Sequence, residues 1–75
     1  MKLIDETVKL DVSKMPKNLQ EVIYEMEELE KKEDDFDYHM KLYLLDVVAK
    51  SAMLAGRISE QDYYKIMYKY GGEYD

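Results

Sequence analysis

The sequence contains no cysteine and only one histidine among its 75 residues. Disulfides, thiol nucleophiles and thiolate metal sites are therefore excluded. A zinc site would have to take its remaining ligands from carboxylates, which is an uncommon arrangement. We expect neither a metal nor a cofactor.

Long apolar runs are also missing. No stretch approaches the roughly 20 apolar residues that a membrane-spanning helix needs. The first ten residues, MKLIDETVKL, lack the apolar h-region of a signal peptide. The sequence therefore predicts a cytoplasmic protein that does not bind membranes.

The chain is short enough for one domain only. A domain of this size hides only about 60–65% of its unfolded surface, so its core is marginal. Because disulfides and metal sites are excluded, association is the remaining source of stability. We therefore expect a homodimer.

Acidic residues are concentrated in one segment. Residues 21–37, EVIYEMEELEKKEDDFD, carry nine acids and two lysines, a net charge of −7, whereas the whole chain has a formal charge of −6. A chain with this charge repels nucleic acid and favours basic partners.

Apolar periodicity predicts an all-α domain of three helices, over residues 16–32, 35–55 and 59–70. An extended or short β arm, residues 1–15, precedes them, and residues 71–75 form a tail. The first helix starts near Pro16, or is capped by Asn18 with Glu21. One face of this helix is apolar and its opposite face carries three glutamates. The apolar face consists of Leu19, Val22, Ile23, Met26 and Leu29, and the acidic face of Glu21, Glu25 and Glu28.

The second helix is apolar almost all round. Asp34 or Asp35 is its predicted N-cap, and Gly56 is its stop. A narrow polar stripe consists of His39, Asp46, Lys50 and Arg57. A helix of this kind is buried on several sides, and a second subunit would complete its cover.

The third helix begins with a capping box in which Ser59 is the N-cap and Asp62 lies three residues later. Tyr63, Ile66, Met67 and Tyr70 are predicted to face the core. Tyr64 and Tyr68 form a flanking stripe. Together with Tyr74 they are a candidate aromatic patch, since tyrosine is favoured at interfaces.

The arm shows the period of a half-buried strand. Val8, Leu10 and Val12 alternate with Thr7, Lys9 and Asp11. A lone strand cannot satisfy its own backbone groups. Either the arm pairs with its twin in a homodimer, or it packs as an extended segment across the helices.

No catalytic constellation is found, so we expect a protein that is not an enzyme. Ser13, Ser51 and Ser59 are explained as turn, packing and cap residues. There is no glycine-rich phosphate loop. The run EDDFD lacks the glycine and the distant glutamate of an EF-hand loop.

The acidic segment gives the leading functional hypothesis, a module that binds a basic, nucleic-acid-handling protein. Glutamates four apart on a helix have Cβ atoms about 5–6 Å apart, a spacing comparable to that of successive phosphates. In size and charge the chain resembles small acidic anti-restriction and anti-CRISPR proteins of phages and mobile elements. That resemblance implies an inhibitor that mimics nucleic acid. The predicted partner-binding residues are Glu21, Glu25, Glu28, Asp34, Asp35 and Asp37.

The alternative hypothesis is a dimeric DNA-binding transcriptional regulator. The order strand–helix–helix over residues 7–55, and the step MPKNLQEV from Met15 to Val22, resemble the ribbon-helix-helix repressors. The resemblance implies an antiparallel ribbon that reads the major groove. Its DNA-contacting residues would be Thr7, Lys9, Lys14 and Lys17.

Overall fold

The computed structural model describes residues 3–72 and shows an all-α fold, as the sequence predicts. Helix α1 spans Lys17–Lys31, α2 spans Asp35–Leu54 and α3 spans Glu60–Gly71. Each bound lies within one residue of the predicted one. No residue between 3 and 72 belongs to a β-strand, so the short β form of the arm is not shown.

The helices begin where local signals place them. Pro16 immediately precedes α1, whereas Asn18, the alternative cap, lies inside its first turn. The Asp34 side chain accepts a hydrogen bond from the Asp37 N–H at 3.1 Å, and Ser59 Oγ accepts one from the Asp62 N–H at 3.0 Å. These side chains satisfy N–H groups that a helix start leaves unpaired.

Helix α2 ends in a Schellman motif around Gly56. The Gly56 N–H donates to the Met53 carbonyl at 3.0 Å, and the Arg57 N–H donates to the Ala52 carbonyl at 2.9 Å. Gly56 has φ of 75°, the left-handed conformation that this motif requires and that glycine adopts without strain.

Helix α1 ends in the same motif, but without a glycine. The Glu33 N–H donates to the Glu30 carbonyl and the Asp34 N–H donates to the Leu29 carbonyl, each at 3.0 Å. Glu33 has φ of 57°. A side chain in this region costs roughly 1–2 kcal/mol.

One apolar face of each helix builds a single core. The fully buried large side chains are Leu19, Ile23, Met26, Tyr38, Leu45, Ile66, Met67 and Tyr70. They include most of the apolar face predicted for α1 and three of the four residues predicted to face the core from α3; the fourth, Tyr63, is also buried.

Within the chain, α2 is covered on one face only. Tyr38, Leu45, Ala49 and Ala52 are buried, but large apolar side chains on its other face are exposed. The sequence predicted burial on several sides. A helix between two shorter helices and a short arm has too few neighbours to be enclosed, so the remaining apolar face is bare.

Two long-range side chains hold the arm against the helices. Glu30 Oε2 accepts from the N–H groups of Leu3 at 2.8 Å and Ile4 at 2.6 Å. Lys69 Nζ donates to the carbonyls of Asp5 at 3.1 Å and Val8 at 2.8 Å. Several backbone groups of the arm are therefore hydrogen-bonded to side chains of α1 and α3.

The arm itself consists of turns. Residues 12–14 form a 3₁₀ turn, and the Thr7 N–H donates to Asp5 Oδ1 at 2.9 Å. Among residues 3–72, no helix has both the length and the apolar character needed to cross a membrane.

Candidate protein-binding surface

Three predicted acids share the solvent face of α1. Glu21, Glu25 and Glu28 are exposed, while the opposite face of the helix is buried in the core. The 3.6-residue period makes residues at i, i+4 and i+7 neighbours on one face. The structure thus brings these three predicted site residues together.

A groove between α1 and α2 brings acids from the two helices to one place. It encloses about 590 Å³. Its walls are Tyr24, Glu25, Glu28, Leu29, Lys32, Asp37, Met40, Lys41 and Leu44. We call this feature the α1–α2 groove. It combines four apolar side chains with three acids and two lysines.

Two acids of α1 already have cationic neighbours. Lys41 Nζ lies 3.0 Å from Glu25 Oε2, and Lys31 Nζ lies 3.7 Å from Glu28 Oε1. Ion pairs at the protein surface contribute only about 0–1 kcal/mol. These two ion pairs therefore hold the carboxylates of Glu25 and Glu28 only weakly.

The remaining predicted acids surround the start of α2. Asp35 and Asp37 are exposed, and Asp34 is half-buried as the cap. Asp34 raises the pKa of the Asp37 carboxyl above its ordinary value, through a side-chain hydrogen bond and then through the repulsion of like charges. We call Glu21, Glu25, Glu28, Asp34, Asp35 and Asp37 together the acidic surface.

Two acids of the segment serve the fold instead. Glu27 Oε2 accepts from the Tyr70 hydroxyl at 2.9 Å, and Glu30 holds the arm. Together with burial, Glu27 raises the pKa of the Tyr70 hydroxyl. The charge of residues 21–37 is therefore divided between the acidic surface and the internal network.

The candidate aromatic patch lies on α3. Tyr64 and Tyr68 are 56% and 50% exposed, four residues apart on one face. The Tyr64 ring meets the ring of buried Tyr63 edge-on, with centroids 5.4 Å apart. Tyr74 lies outside the described residues.

The candidate DNA-contacting residues are all exposed, but they are not arranged on a ribbon. Thr7 Oγ1 donates to Asp5 Oδ1 within a turn. Lys14 lies 3.7 Å from Asp11, and Lys17 starts α1. Pairing the arm with a twin would compete with the bonds that Lys69 makes to Asp5 and Val8.

Sequence reasoning missed the apolar part of the α1–α2 groove. Tyr24 could have been found, because the period of α1 places it beside Glu21 and Glu28 on the exposed face. Met40 and Leu44 carried no such signal, because α2 is apolar on both faces. Among the described residues, no three acids or histidines are grouped so that they could hold a metal ion.

Comparison of the chain with known proteins finds no matching family model, no matching curated protein and no matching solved structure.

Proposed function

We propose that this protein is a non-enzymatic binding module whose acidic surface engages a basic, nucleic-acid-handling protein. The observation that supports the proposal is the α1–α2 groove. In it, Glu25 and Glu28 of α1 and Asp37 of α2 lie beside exposed apolar side chains. Acids of two different helices thus line the same groove.

Electrostatics would govern the encounter with the partner. The chain carries a formal charge of −6, and the negative field of such a protein accelerates association with a partner of opposite sign. Exposed carboxylates also suit arginine, whose planar guanidinium can bind two oxygens at once. We therefore expect binding that weakens as salt is added, because the Debye length falls from about 10 Å at 0.1 M to about 3 Å at 1 M.

The apolar side chains of the groove would supply contact area. Tyr24, on α1, is 53% exposed. Buried apolar surface contributes roughly 25 cal/mol per Å². Arginine is well suited to such a site, since its aliphatic stem covers apolar surface while its head reaches a carboxylate.

If the protein is an inhibitor, it should compete with nucleic acid for the groove of its partner. If the acidic surface occupies the nucleic-acid groove of its partner, protein and nucleic acid cannot bind together. Adding nucleic acid should then displace the protein from the complex, with a midpoint set by the two affinities.

The test compares two double charge reversals with the same change in net charge. Glu21→Lys with Glu28→Lys alters the acidic surface. Glu6→Lys with Glu60→Lys, at two other exposed positions, is the control. A partner captured by the wild-type chain is purified, and its affinity for the three proteins is measured.

We expect the acidic-surface variant to bind at least about tenfold more weakly, which corresponds to about 1.4 kcal/mol. The control should bind as the wild type does, apart from a small uniform effect of net charge. Equal affinity of the two variants would overturn the proposal.

A further inference from the structure

Helix α2 has a stripe of exposed apolar side chains, of which only Met40 and Leu44 also line the α1–α2 groove. Its six large side chains are between 44% and 78% exposed. They are Phe36, Met40, Tyr43, Leu44, Val47 and Leu54. We call this set the α2 stripe. We infer that in solution the α2 stripe is covered by the same stripe of a second copy, with the two α2 helices antiparallel.

The spacing of the stripe is that of a helix-pairing seam. The steps from Phe36 to Met40, Tyr43 and Val47 are four, three and four residues, and further steps of three and four lead through Lys50 to Leu54. This 3.5-residue repeat is the pattern by which one helix inserts side chains between those of another. The occupant that fits it is therefore a helix.

The stripe is large enough for a stable dimer. Its six side chains, at roughly 100–200 Å² each and about two-thirds exposed, present on the order of 600 Å², so two copies can bury up to about 1,200 Å², the lower end of the standard interface size. A twofold interface uses the same patch on both copies. A second copy therefore covers the stripe without any other protein.

Four of the six stripe residues are also placed symmetrically about Leu45. Phe36 and Leu54 lie nine residues on either side of Leu45, and Tyr43 and Val47 lie two on either side. In an antiparallel pair centred there, Phe36 meets Leu54 of the second copy and Tyr43 meets its Val47. Lys50 falls opposite Met40 of the second copy. The Lys50 Nζ lies 6.0 Å from the centroid of the Tyr63 ring, so the charge of Lys50 is directed towards α3.

Charge decides between the two helix directions. A parallel pair would bring together the acid-rich starts of both α2 helices, each with Asp34, Asp35 and Asp37. An antiparallel pair places each of these starts near the Arg57 end of the other copy. Opposed helix dipoles also favour the antiparallel arrangement.

The inference goes beyond the proposed function, and the two respond to salt in opposite ways. Each copy carries a formal charge of −6, so salt screens repulsion between copies and should leave the dimer as tight or tighter. Binding of a basic partner should weaken instead. Tyr43 and Val47 do not line the α1–α2 groove, so substitutions there separate the two ideas.

Sedimentation analysis tests the inference, with Tyr43→Glu as the variant. The matched control is Gln61→Glu, which makes the same change in net charge on α3. Both positions are exposed, so both variants should fold, which circular dichroism checks. We expect wild type and control to reach twice the 9.0 kDa monomer mass. Tyr43→Glu should raise the dimer Kd about a hundredfold or more, because a twofold interface loses the apolar side chain, and gains the buried charge, twice per dimer. A monomeric wild type, or equal effects of the two variants, would overturn the inference.

Helix direction is tested by cross-linking, for which a cysteine-free chain is convenient. Phe36→Cys and Leu54→Cys proteins are mixed in equal amounts and oxidised. The antiparallel pair predicts that the mixed disulfide forms fastest. Faster formation of the two symmetric disulfides would overturn the antiparallel assignment.

Discussion

The Tyr38 hydroxyl donates a hydrogen bond of 2.6 Å to the backbone carbonyl of Tyr70, which lies 32 residues away in the last turn of α3. Both side chains are at most 1% exposed. The contact joins the start of α2 to the end of α3. Because Tyr70 in turn donates to Glu27, the two tyrosines link all three helices.

The first prediction concerns this link. Tyr38→Phe leaves the carbonyl of Tyr70 without the donor that Tyr38 supplies, and an unsatisfied buried acceptor costs about 1–3 kcal/mol. Urea unfolding should show a loss of that size in the free energy of unfolding. Tyr64→Phe, at an exposed position, should stay within about 0.5 kcal/mol of the wild type. Equal stability of the two variants would show that the hydroxyl does not hold the helices.

The second prediction concerns the two left-handed residues at helix ends. Glu33→Gly should stabilise the protein by about 0.5–1 kcal/mol, because relief of roughly 1–2 kcal/mol of strain exceeds the extra entropy of the unfolded chain. Gly56→Ala should destabilise by about 1 kcal/mol through backbone strain alone, because a Cβ there meets nothing within 4 Å. Thermal unfolding of both variants checks the opposite signs.

The third prediction concerns the arm. Glu30→Ala removes the acceptor of the Leu3 and Ile4 N–H groups. The exchange protection of these amides should fall about tenfold or more, since hydrogen bonds to charged groups contribute about 1.5–3 kcal/mol. Glu28→Ala makes the same charge change on the exposed face of the same helix. If both variants change arm exchange equally, Glu30 is not the anchor.

The fourth prediction concerns acid pH. Hydrogen bonds from Thr7 lower the pKa of Asp5 below 3.8, and a hydrogen bond from Ser13 lowers that of Asp11. Their contribution to stability is therefore present above pH 3.8 and is lost as pH falls through their folded pKa values.

The carboxyl group of Asp37 contributes to stability with the opposite sign. Its pKa is raised by Asp34, so its carboxylate disfavours the fold above its folded pKa, and this cost disappears as pH falls towards 3.8. A carboxyl-detected NMR titration should order the pKa values with Asp5 and Asp11 below 3.8 and Asp37 above it. The reverse order would contradict the hydrogen bonds described at these sites.

The helices were predictable because their signals are local. Asp34, Ser59 and Gly56 mark boundaries within one turn of the helix, and the apolar face of α1 has a clear period. Glu33 shows where local signals fail, because a glutamate gives no sign of a left-handed conformation. The fold requires it there to close the end of α1.

The turns of the arm could not be predicted from the sequence. Val8, Leu10 and Val12 are half-buried while Thr7, Lys9 and Asp11 are exposed, so the alternation correctly indicated which side chains turn inward. The backbone nevertheless depends on Glu30 and Lys69, which lie from 26 to 64 residues away. Pattern reasoning does not detect such long-range partners.

The half of the candidate site that lies on α1 was predictable. Periodicity placed Glu21, Glu25 and Glu28 together on α1. The α1–α2 groove depends on how α2 is rotated about its axis, and a helix that is apolar on both faces gives no signal of that rotation. Met40 and Leu44 therefore entered the site only with the structure.

We propose above all that the acidic surface binds a basic partner protein. Chemical-shift mapping of the isotope-labelled protein with an arginine-rich peptide is the test. We expect the largest amide shifts between Glu21 and Leu44, and we expect them to shrink as salt is added. Largest shifts on α3 or in the arm would contradict the claim.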